Sequence, residues 1–147
     1  MKQREILLQR IEGFYIEVAS VFNEVEGKIM HDSKFTRMFR KKDYAGNIAK
    51  IEECKGLALH IDVKDIVAED EKSKDVIVRF ERALAMFNAL CDAYINLQDF
   101  LKKKTRGEKA PMSQYKELMS KVRQSKMVTH IAMQDLSVVY TEYAEKN

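Results

Sequence analysis

Leu7-Leu8-Gln9-Arg10-Ile11-Glu12-Gly13-Phe14-Tyr15-Ile16-Glu17-Val18-Ala19-Ser20-Val21-Phe22-Asn23-Glu24-Val25 is the stretch that decides the fold. Within it Leu7, Ile11, Phe14, Val18, Val21 and Val25 recur at alternating steps of four and three, which keeps one apolar face along an α-helix. Leu8, Tyr15 and Phe22 lay a second apolar line beside the first. A stripe of that width is broader than the seam of a two-stranded coiled coil and calls for two neighbouring helices. Gly13 costs about 1 kcal/mol against alanine, too little to break so regular a pattern. A helix is predicted over residues 2–30.

The same design returns further along. Phe80, Leu84, Phe87, Cys91, Tyr94 and Leu101 repeat the spacing, with Ala83, Leu90 and Leu97 alongside. Ser73 is the predicted N-cap, with Asp75 facing the positive end of the helix dipole. Lys102, Lys103 and Lys104 occupy the last turn, and Gly107 is the predicted terminator. A last helix is predicted from Pro111 through Tyr115, Leu118, Val122, Ser125, Thr129, Ala132, Leu136, Val139 and Tyr143. Its middle is small and partly polar, and aromatic side chains from other helices are expected to pack over Ser125, Thr129 and Ala132. No convergent polar groups are expected around that middle.

Between these segments the pattern is weaker. Phe35, Met38 and Phe39 suggest a short amphipathic helix capped by Asp32 or Ser33. Ile48, Ile51, Cys54, Ala58 and Ile61 suggest a longer one, which Gly46 and Gly56 weaken. Leu57, Leu59, Ile61 and Val63 also alternate as a strand would, but a lone strand has no partner elsewhere in the chain. The expected fold is all-α: an elongated, up-and-down antiparallel four-helix bundle with an irregular or broken second helix, one domain over residues 1–147. The 147 residues suffice for a core without disulfides or metal. Cys54 and Cys91 are isolated within apolar spacing, as buried free thiols of a reducing compartment are.

No secretory segment fits the charged start Met1-Lys2-Gln3-Arg4-Glu5, and uncharged runs such as Ala83 to Cys91 are too short to span a bilayer. A cytoplasmic location is the expectation. Charge, by contrast, is unevenly placed. Lys34-Phe35-Thr36-Arg37-Met38-Phe39-Arg40-Lys41-Lys42 holds five cations and no acid, and residues 102–109 hold five cations (Lys102, Lys103, Lys104, Arg106, Lys109) and one acid. The two stretches carry +9 in a chain of net +3, so the remainder is acidic. In the up-and-down topology both stretches fall at one end of the bundle, where Phe35 and Phe39 suit stacking on unpaired bases. The segment Glu69 to Asp75, at −2, lies at the other end.

Spacing excludes several chemistries. No Glu-x-x-His pair precedes His31, His60 or His130, no Cys-x-x-Cys or zincin spacing occurs, and there is no phosphate-binding glycine loop. Neither a metal nor a cofactor is expected. One spacing remains: Arg123-Gln124-Ser125-Lys126-Met127-Val128-Thr129-His130 resembles the Arg-x(4–6)-His element of HEPN-type helical ribonucleases over eight residues. That resemblance implies metal-independent RNA cleavage by Arg123 and His130. The main expectation is different: a non-enzymatic interaction module that takes a protein or anionic partner, nucleic acid included, through its basic end. Opposite charge at the two ends and broad apolar faces also leave room for a homodimer.

Overall fold

The computed structural model describes residues 3–30 and 43–145. These form an all-α bundle of four rods. The first rod runs end to end through α1 (Gln3–Gly13), a wide π-helical turn (Phe14–Ala19) and α2 (Ser20–Met30). The others are α3 (Tyr44–His60), α4 (Glu71–Thr105) and α5 (Met112–Glu145). Pairings across the interfaces fix the directions. Asn47 bonds Gln98 at 3.1 Å and Lys55 meets Asp92 at 2.6 Å, so α3 and α4 are antiparallel. Arg79 lies 3.9 Å from Asp135, and the Phe100 and Tyr115 rings stand 6.3 Å apart, so α4 and α5 are antiparallel too.

The core is an aromatic ladder between the first rod and α4, which run parallel. Phe14 meets Phe80 and Phe87 edge-on at 5.9 and 5.4 Å between centroids, and Phe22 meets Phe87 and Tyr94 at 5.0 and 5.8 Å. Such edge-to-face pairs add to the burial of the rings themselves. Phe22 takes an inward position assigned above to Val21, which is 42% exposed. The wide turn is the cause. The Ser20 N–H donates to the Tyr15 carbonyl, five residues back, so this turn holds one residue more than an α-turn. The rod beyond it is rotated, and the buried line continues through Val18, Phe22, Val25 and Ile29.

Helix ends follow their local chemistry, with one correction. Asp70, not Ser73, caps α4: its carboxylate accepts from the Ser73 N–H at 2.8 Å and from the Ser73 hydroxyl at 2.6 Å. Serine therefore sits inside the first turn, where its hydroxyl also reaches Tyr143 at 3.3 Å. At the far end the Gly107 N–H donates to the Lys104 carbonyl and the Glu108 N–H to that of Lys103, with Gly107 at φ +82°. Glycine adopts that left-handed conformation without a Cβ penalty. Helix α5 begins at Met112, with the Pro111 carbonyl accepting from the Gln114 and Tyr115 N–H groups. The second rod is the short one. Asp43 caps α3 by accepting from the Gly46 N–H at 2.9 Å, a geometry in which a Cβ at position 46 would clash with the Asp43 carboxylate. Helix persists through Leu57 and Leu59 to His60, and the chain leaves extended at Ile61.

Candidate functional site

The first rod and α5 are neighbours, yet backbone approach along their shared seam is sparse. Long polar side chains bridge it instead. Arg4 donates to the Tyr143 and Ala144 carbonyls at 2.9 and 3.0 Å, satisfying acceptors that the end of α5 leaves open. The Tyr140 hydroxyl reaches Glu12 at 2.8 Å, and the Tyr15 hydroxyl reaches the Met133 carbonyl at 3.1 Å. Burial, then the bond to Glu12, pushes the Tyr140 phenol up to about 12. Burial also raises Tyr15.

Below these bridges the seam opens into a groove of about 590 Å³, within the range of small-ligand sites. Its apolar floor is built by Ala19, the last residue of the wide turn, by Phe22 just past it, and by Phe87 and Leu90 of α4. Arg123, Lys126 and His130 line it from α5; Asn23 and Glu26 line it from α2. Arg123 and His130 are seven residues apart, about 10.5 Å along a helix, with Lys126 between them. Glu26 is the acidic member. It accepts from the buried Tyr94 hydroxyl at 2.7 Å and lies 3.7 Å from the Lys126 ammonium. Burial, reinforced by that carboxylate, drives the Tyr94 phenol well above the ordinary tyrosine value.

Thr129 forms part of the groove wall. Its hydroxyl lies 3.0 Å from the Met86 carbonyl and 2.7 Å from that of Ser125, which ties α5 to α4. The small middle of α5 thus permits a close approach to α4. It is also ringed by Arg123, Lys126, His130, Asn23 and Glu26, contrary to the expectation that no polar groups converge there.

Of the residues singled out in the sequence, Arg123 and His130 come together on this groove. Lys102, Lys103, Lys104 and Arg106 stand at the end of α4, one bundle end, with Lys103 held 3.1 Å from Asp99. Lys34, Phe35, Arg37, Phe39, Arg40, Lys41 and Lys42, with the short helix expected around them, lie outside the described residues. The segment that carries them joins Met30 to Asp43, so both its attachments are at the same bundle end as Arg106. Asn23, Glu26 and Lys126 escaped the sequence reading. Lys126 was visible as a third basic position between Arg123 and His130. Glu26 was not, since it reaches the site only through the register of two rods far apart in the chain.

Among the described residues no three His, Cys, Asp or Glu side chains gather as a metal site needs, and no helix is long and apolar enough to cross a membrane. No protein-family model, curated protein or solved structure matches this chain.

Proposed function

We propose that the chain is a cytoplasmic, non-enzymatic binding module for an anionic partner. The partner lies on a basic strip that runs from the end of α4 along the first half of α5 to the groove. One observation carries this reading. From Lys102 to Lys126 the chain places nine cations against two acids. Among the described residues only Lys103 and Lys126 of these nine have a carboxylate within 4 Å. A surface built for stability would intersperse acids to neutralise the excess. Unpaired surface cations in a row instead suit a chain of phosphates, whose counterions they release. The five cations of residues 34–42 belong to the segment attached at the same end.

The test is fluorescence anisotropy of a labelled single-stranded RNA at about 50 and 200 mM salt, where affinity should fall by two decades or more. Lys102→Gln, Lys103→Gln, Lys104→Gln and Arg106→Gln together should weaken binding at least about tenfold, since each phosphate contact adds to the salt-dependent term. The melting temperature should barely change. Absence of binding at the lower salt would leave these cations as helix caps and solubilising charge.

A second reading is favoured by the joint exposure of Arg123 and His130 to one groove. It makes the chain a metal-independent ribonuclease. RNA recovered from the same samples would then be cut in the presence of a chelator, and His130→Ala would stop cleavage without shifting the melting temperature. Intact RNA rules it out.

A further inference from the structure

The face of α5 turned away from the core carries an apolar stripe that none of the described residues covers. Met127, Val128, Ile131 and Val138 are 62, 39, 49 and 60% exposed. Met127, Ile131 and Val138 recur at steps of four and seven, opposite the buried Val122, Thr129, Ala132 and Leu136. Single exposed apolar residues need no explanation, but a line of them on one helix face does.

The charge on the same helix says what covers it. From Met112 to His130, α5 holds Lys116, Lys121, Arg123 and Lys126 against Glu117, a net +3. From Ile131 to Glu145 it holds Asp135, Glu142 and Glu145 and no cation, a net −3. The stripe lies near the junction of these halves. An anionic surface would match one half and repel the other, as would a uniformly acidic peptide. A parallel copy of α5 would set like charge on like. An antiparallel copy sets each basic half against an acidic half, with apolar residues meeting at the centre.

We propose that the chain forms a two-fold symmetric dimer in which α5 packs antiparallel against α5 of a second copy. Met127, Ile131 and Val138 fill the middle of that interface, and the two charged halves fix its direction. The interface is isologous, as closed dimers require. It draws on the basic half of α5 (Lys116, Lys121, Arg123 and Lys126), which the anionic-partner reading also uses, and leaves Lys102, Lys103, Lys104 and Arg106 outside the contact.

Sedimentation equilibrium decides it. The wild-type chain should show twice the monomer mass at about 100 µM, a concentration that populates even weak complexes. Ile131→Glu with Val138→Glu should give a monomer of unchanged helicity and melting temperature. Charge reversal tests direction without requiring a particular register. Lys116→Glu/Lys121→Glu makes both halves acidic, and Glu142→Lys/Glu145→Lys makes both basic. Each chain alone should be monomeric, and an equimolar mixture should restore the dimer. A wild-type monomer at that concentration, a dimer that survives the Ile131/Val138 changes, or a mixture that stays monomeric would each overturn the proposal.

Discussion

Cys91 shows how strongly single positions are governed by burial. Its thiol is fully covered, and desolvation, with Cys54 and Asp92 nearby, pushes its pKa up to about 12. Cys54 is covered and raised for the same leading reason. Thiolate is the reactive form. Neither cysteine should therefore react with a thiol reagent at about pH 8, far below the raised value, whereas both should react once guanidinium unfolds the chain. A colorimetric thiol count checks this. The inertness was legible in the sequence, because both cysteines sit within apolar helical spacing. Tyr94 was legible only in part: its spacing announced a core position but not what its hydroxyl does. Tyr94→Phe removes a donor to the half-buried Glu26 and should cost about 1–2 kcal/mol in urea unfolding. The phenols of Tyr94, Tyr140 and Tyr15 are all raised, so the folded state favours their protonated forms. That contribution is complete below the unfolded tyrosine value of about 10 and is lost as pH rises above it. The melting temperature should accordingly decline from about pH 10 upward, less steeply in Tyr94→Phe/Tyr140→Phe.

Two local devices decide how the elements run. The wide turn at Phe14–Ala19 is the point where the sequence reading slipped, since a spacing rule based on α-geometry has no place for an extra residue. Up to Val18 the alternation of four and three holds, and beyond it Phe22 replaces Val21 at the core. Deletion of Ile16, which is 68% exposed, should remove the extra residue and let the rod run as continuous α-helix. The buried line from Leu7 to Ile29, which now steps 4-3-4-4-3-4, would then step 4-3-3-4-3-4. We expect unchanged helical circular dichroism and a melting temperature no lower than wild type; a marked fall would mean that packing itself demands the wide turn. Gly107 is the second device, and the sequence did announce it. Gly107→Ala forces a Cβ into left-handed backbone and should lose about 1–2 kcal/mol in urea unfolding. The exchange of roles between Ser73 and Asp70 was less visible. Both residues can cap, and the choice depended on where the preceding chain became extended.

For the molecule as a whole, parity did most of the predictive work. Long amphipathic rods joined by short connections alternate in direction, which sets the basic stretch Lys102 to Lys109 at one end and the acidic stretch Glu69 to Asp75 at the other. Hidden from that reasoning was the width of each seam, which depends on facing side chains from rods distant in sequence. The polar bridges between the first rod and α5 join residues 139, 118 and 128 positions apart. Those that tie α3 to α4 join residues 37 and 51 apart, and those that tie α4 to α5 join residues 43 and 70 apart. Contacts of long sequence separation carry the larger loop-closure entropy. The three later rods should therefore assemble first, with the opening rod docking afterwards. Unfolding should retrace this order. Native-state hydrogen exchange would find amides of α1 opening at lower free energy than those in the centre of α4. The groove then lies on the hinge line of the molecule's lowest-energy excursion, and whatever occupies it acts as a latch.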